Sequence, residues 1–247
     1  MLKDYYVTIM GDSIAKGLYL ENDKIKRIKN SAVKLTEQYF SIKTNNISSF
    51  GQSLKKFTQK GFIDTYIENS ATQNNRIAII SLGGNDCAYD WEKVGENPYG
   101  LNQPITTPYE YGVLLNSVVK KLKNKGVLVC LTSLPPIISE KYFNEIIAKQ
   151  ADTKGVLKFF TGDITNISRH HECYNNIILR TALSNNCPFI DFRSDFLLKT
   201  DMPSYICSDG IHPNEKGHFL MFEKIKERIE NSVFLKQNEP LRIAQGS

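Results

Sequence analysis

Five short runs, Tyr5 to Met10, Thr44 to Ser49, Arg76 to Leu82, Val127 to Thr132 and Cys187 to Asp191, read as β-strands separated by longer segments of helical periodicity. Three of them carry almost no polar residues, which suits strands covered on both faces. Between them, Ile25, Ile28, Ala32, Leu35 and Tyr39 recur at helical spacing, as do Tyr111, Leu114, Val118 and Leu122, with Gly126 as a helix stop. After the last run, Asn214 begins a helix whose Met221, Phe222, Ile225, Ile229 and Val233 form one apolar stripe. Strands alternating with amphipathic helices predict an α/β chain with a parallel sheet. Two connections exceed what such a fold needs, Gly83 to Pro108 and Ser133 to about Asp163, and long connections in compact domains are often lids or binding loops.

Composition adds limits. The 247 residues, 41% hydrophobic and 23% charged, are expected to form one globular domain over 1–236, followed by a frayed tail over 237–247. The net charge of +5 is dispersed, and the lysine-rich stretches Lys24 to Lys29 and Lys120 to Lys125 fall on expected helices, where they read as solvated faces. No concentrated basic stripe or nucleic-acid module is visible, so nucleic acid is not an expected partner. Met1 to Met10 lacks the pattern of a signal peptide and no run is long enough for a membrane span, so a cytoplasmic protein is expected. Five cysteines, Cys87, Cys130, Cys173, Cys187 and Cys207, form no CxxC pair and read as reduced, mostly buried thiols.

Candidate chemistry begins where the first strand ends. Gly11-Asp12-Ser13 puts a serine hydroxyl at the carboxyl end of that strand, where open α/β sheets gather their sites. Twelve residues leave no room for the strands and oxyanion loop that precede a Gly-x-Ser-x-Gly elbow, and Lys16 before Gly17 does not fit a phosphate loop. Near the other end, Ser208-Asp209-Gly210-Ile211-His212-Pro213 supplies an imidazole and a carboxylate three residues apart, the pair that makes a serine nucleophilic. Gly83-Gly84-Asn85-Asp86 follows the third strand, and its amide suits an oxyanion that needs fixed donors. Gly51 follows the second strand and offers a backbone N–H with no side chain in the way, or simply a turn.

These four elements resemble, in order, the signature blocks of the SGNH (GDSL) hydrolases over residues 5 to about 230. The resemblance implies a flavodoxin-like three-layer fold with a five-stranded parallel sheet. It implies Ser13 as nucleophile, His212 as general base and acid, and Asp209 as its orienting carboxylate. The oxyanion hole would be the N–H groups of Ser13 and Gly51 with the side chain of Asn85; Asp12 and Asp86 would support loops. No metal or organic cofactor is implied. The expected function is hydrolysis of a carboxylic ester, of a short acyl or O-acetyl group on a small molecule or carbohydrate. Lysophospholipase, thioesterase-like or acyltransferase activity on the same triad, or a non-catalytic ligand-binding module, are the alternatives.

Three further features stay open on sequence grounds. Tyr89, Trp91, Tyr99 and Tyr109 suit stacking on sugar rings, an acyl pocket, or a small aromatic core. His170 and His171 share an expected helix with Ile164, Ile167, Tyr174 and Ile178, and His171, on its apolar face, reads as a buried, hydrogen-bonded histidine. His218 reads as an exposed helix residue.

Overall fold

The structure, a computed structural model, describes residues 2–22 and 24–231. In chain order these form β1 (Tyr6–Gly11), α1 (Ser13–Lys16), β2 (Leu18–Glu21), β3 (Lys24–Arg27), α2 (Ala32–Phe40), β4 (Asn45–Asn46), α3 (Leu54–Gln59), α4 (Phe62–Asn69), β5 (Arg76–Ser81), α5 (Trp91–Glu96), α6 (Pro108–Lys123), β6 (Leu128–Thr132), α7 (Ser139–Glu145), α8 (Thr153–Phe159), α9 (Asn166–Ser184), β7 (Phe189–Ile190), α10 (Phe192–Leu197) and α11 (Glu215–Glu230). The expected tail and Val233 lie outside the described residues.

All five expected strands join one parallel sheet in the order β4-β1-β5-β6-β7. The edge strands are shorter than the sequence suggests, two residues each, because only those residues find ladder partners. Period-2 alternation splits each central strand between two cores. Met10, Ala78, Ile80, Val129 and Leu131 face α3, α4, α6 and α9, whereas Cys130 and Ile190 face α2, α10 and α11. The fold is therefore the flavodoxin-like three-layer sandwich. From β1 the chain moves outward to β4 and then crosses back to β5, so the order reverses beside β1, where ligand crevices form in such sheets. The β1–β5 register runs from Tyr6 opposite Arg76 to Gly11 opposite Ser81, which brings the segments after both strands out level with each other.

Two expectations are corrected here. Residues 24–27 are a strand, not helix: β2 and β3 pair antiparallel, with Asn22 at a φ of 50° in the turn. The helix starts only at Ala32, where the Ser31 hydroxyl accepts from the Lys34 amide and caps it. Ile25 and Ile28 lie at helical spacing from Ala32 by coincidence. His218 is not exposed but 1% accessible, and its Nδ1 accepts from the Ala32 amide at 3.2 Å, satisfying a free N–H at the start of α2. Positions 218, 221, 222 and 225 stand at i, i+3, i+4 and i+7, so His218 belongs to the buried stripe of α11.

The two long connections carry short helices, α5 in the first and α7 and α8 in the second. Trp91 and Val94 of α5 pack with Ile137, Phe143, Ile147, Val156, Phe160 and Ile167 in a third apolar cluster above the carboxyl ends of the strands. Here α5 and α8 touch backbone to backbone. A Cβ on Gly155 would lie 1.9 Å from the Gly95 carbonyl oxygen, so only glycine permits the contact.

Candidate active site

Ser13 is the first residue of α1 and is 5% exposed. Asp12 caps this one-turn helix, accepting from the Ile14 amide at 2.9 Å, and the turn aims the Ser13 hydroxyl out of the sheet. Its Oγ lies 2.7 Å from Nε2 of His212, a contact across 199 residues of chain.

His212 is held from behind. Its Nδ1 donates to Oδ2 of Asp209 at 2.6 Å, while Oδ1 of the same carboxylate accepts the amides of Ile211 at 2.9 Å and His212 at 3.0 Å. Oδ2 also accepts from the Leu20 amide of β2 at 3.2 Å, so the unforeseen hairpin contributes to the site. Burial raises the Asp209 carboxyl, yet the bond and charge of His212 and these amides outweigh it and hold the group below its ordinary value. An ionised Asp209 keeps the imidazole proton on Nδ1, which leaves the Nε2 lone pair to accept from the Ser13 hydroxyl.

Asn85 stands opposite. Its Nδ2 donates to the Gln52 carbonyl at 3.2 Å and makes a longer contact of 3.4 Å to Oδ2 of Asp12, so the nitrogen end of the amide faces the site. Burial lifts the Asp12 carboxyl to about 6. Asp86, fully buried, accepts from the Leu54 amide at 2.7 Å, the Lys55 amide at 3.2 Å and the Thr106 hydroxyl at 2.7 Å, tying the start of α3 to the Gly83–Asn85 loop. Both aspartates thus brace loops. Gly51 has a φ of 67°, and a Cβ there would meet nothing within 4 Å. The glycine is therefore required by its left-handed backbone, not by crowding.

Asp12, Ser13, Gly51, Asn85, Asp209 and His212 all line one cavity of about 400 Å³. Much of its remaining wall is apolar or aromatic and comes from the roof helices and α9. Tyr89 and Trp91 line it, whereas Tyr99 and Tyr109 are each 84% exposed and do not. His171 lines it too, 5% exposed and hydrogen-bonded as expected. Phe50, which carries no signal in the sequence, stacks on the His212 ring with centroids 6.1 Å apart and planes at 20°. A larger cavity of about 500 Å³ lies between the sheet and helices α2 and α11. It holds neither Ser13 nor His212 and has no part in this chemistry.

Residues 9–220 match the GDSL-like lipase/acylhydrolase family. No curated protein matches the sequence. Among solved structures, the chain is similar to a member of the lipolytic protein G-D-S-L family from Veillonella parvula, at 16% identity over 92% of this chain and 100% of that one, with a TM-score of 0.63. A lipase/acylhydrolase from Enterococcus faecalis matches at 15% identity over 91% and 95% of the two chains, TM-score 0.61. A catalytic mutant of the acetylxylan esterase Axe2 from Geobacillus stearothermophilus matches at 18% identity over 91% and 93%, TM-score 0.62. The fold, the order of its motifs and the extent of the match agree, and the chain belongs to the GDSL-like lipase/acylhydrolase family of hydrolases.

Proposed function

We propose that the protein is a serine esterase that cleaves carboxylic esters through an acyl enzyme on Ser13. The reading rests on the continuous chain from Ser13 Oγ through the His212 ring to Asp209, with links of 2.7 and 2.6 Å, in the wall of a cavity large enough for a small ester. Ser13 attacks the carbonyl carbon as its proton passes to Nε2 of His212. Asp209 stabilises the resulting imidazolium. Negative charge on the carbonyl oxygen is met by the N–H groups of Ser13 and Gly51 and by Asn85, whose longer bond to Asp12 leaves one amide N–H to turn toward the oxyanion. His212 then protonates the departing alcohol, and a water activated by the same ring releases the acid.

The largely apolar wall favours a short acyl or alkyl group as occupant. An acetylxylan esterase among the similar folds adds acetylated sugars to the substrates worth testing. Ser13→Ala should lower the hydrolysis of nitrophenyl acetate and butyrate by about 10⁴-fold or more while the fold is kept. A fluorophosphonate should label the native protein at Ser13 and leave this variant unlabelled. Undiminished turnover by Ser13→Ala, or a folded native protein that takes no label, would overturn the reading.

A further inference from the structure

Besides His212, the cavity wall carries two imidazoles that ester cleavage at Ser13 leaves unused, His170 and His171. The Nε2 of His170 is buried. His171 sits on α9, and its Nδ1 lies 3.4 Å from Nη1 of Arg193, itself 7% exposed. A guanidinium has only donors, so Nδ1 must accept and the ring proton resides on Nε2. Arg193 is fixed in turn. Its Nη1 donates to the Leu134 carbonyl at 3.3 Å, its backbone amide donates to the Ser133 hydroxyl at 2.9 Å, and its guanidinium pairs with Glu172. Burial, reinforced by the Arg193 charge, lowers the His171 pKa to about 3, so the ring stays neutral.

Among the described residues the Nε2–H of His171 has no acceptor, and unlike the Nε2 atoms of His170 and His218 it is not a fully buried unpartnered atom. The same wall carries Leu134, Ile137, Phe160 and Ile167, together with the uncharged polar side chains of Tyr142 and Gln150. Arg193 does not reach the cavity, so the wall offers a neutral donor rather than a cation. A donor in an apolar wall costs free energy while unpaired and rewards a ligand that brings an acceptor.

We propose that His171 is a specificity-determining residue whose Nε2–H binds a second, uncharged oxygen of the ester, so that the cavity selects oxygen-bearing esters over plain hydrocarbon ones. Arg193 is the positioning residue that sets the tautomer. The proposal deepens the esterase reading and rests on it for the identity of the ligand, but its test needs no turnover.

Full-length Ser13→Ala protein is titrated with propyl pentanoate and with the isosteres in which one methylene of either chain is replaced by an ether oxygen. Binding is followed by the fluorescence of Trp91, the chain's one tryptophan, which lines the cavity. At least one isostere should bind about tenfold more tightly than the parent, the effect of one satisfied hydrogen bond. In Ser13→Ala/His171→Leu that preference should vanish while the parent ester binds within about twofold. Histidine-ring ¹H–¹⁵N spectra of the unsubstituted chain should show His171 as the neutral Nε2–H tautomer. An Nδ1–H tautomer, binding of no ester in the series, a preference for the parent, or a preference that survives His171→Leu would each overturn the proposal. Loss of Ser13 labelling in the native protein would instead sink the esterase reading and leave these binding results standing.

Discussion

Asp209 accepts four hydrogen bonds, from the His212 ring and from the amides of Ile211, His212 and Leu20, and this geometry decides what the imidazole can do. Asn at this position would keep an oxygen for the amides of Ile211 and His212 but turn an N–H₂ toward Nδ1. The ring would then carry its proton on Nε2 and no longer accept from Ser13. Asp209→Asn is therefore expected to lower kcat on nitrophenyl acetate by about 10⁴-fold with the melting behaviour little changed; a loss of less than tenfold would contradict the assigned role. Ser13, Asn85, Asp209 and His212 could be picked out in the sequence because each lies in a short motif with its own local geometry. Phe50 and the Leu20 amide could not. Phe50 adjoins the motif glycine Gly51, but nothing in the chain says that its ring meets His212, and Leu20 reaches Asp209 only across 189 residues.

At the scale of elements, the β2–β3 hairpin is the main departure from expectation. Lys24–Arg27 is exposed at every position and Leu18–Glu21 is half-buried throughout, so neither strand shows the alternation by which a sheet with one covered face announces itself. The apolar residues that happened to fall at helical spacing dominated instead. The hairpin nonetheless delivers an amide to the Asp209 carboxylate. Leu20→Pro removes that N–H, and a hydrogen bond to a charged acceptor is worth about 1.5–3 kcal/mol. We expect kcat/KM to fall about 10- to 100-fold, with far-UV circular dichroism preserved because the hairpin lies outside the main sheet. The acid limb of the pH–rate profile should also move up as Asp209 loses a donor. An unchanged profile with full activity would show that the hairpin is a bystander. The roof helices illustrate the converse case: the length of the two connections pointed to covering segments, but their helical form depends on the cluster around Trp91 and Phe160.

For the whole molecule, buried titratable groups set the response to acid. Burial depresses His218 to about 4 and His171 to about 3, so from pH 6.5 downward the unfolded chain binds protons that the folded one refuses, and stability falls as pH falls. Asp12, raised to about 6 by burial, works in the opposite sense: the folded state takes its proton first, and stability is gained between pH 6 and about 4. Asp86, raised by burial, acts in the same sense as Asp12, and His170, lowered by burial, adds to the histidine loss. Urea unfolding followed between pH 6.5 and 4 should show stability falling more steeply with acid in Asp12→Asn, which removes one opposing group, than in the unsubstituted chain. An Asp12→Asn profile that matches that of the unsubstituted chain would count against a raised Asp12 carboxyl. The sequence alone determined the α/β class, the five sheet strands and the positions of the four motif elements, because strand and helix periodicities and turn-borne motifs are local properties of the chain. Only the tertiary structure decided that Leu20 and Phe50 join the site, that His218 is buried and that His171 lines the same cavity. Those outcomes come from contacts between elements remote in the chain, where one residue's burial and tautomer depend on what the rest of the fold brings beside it.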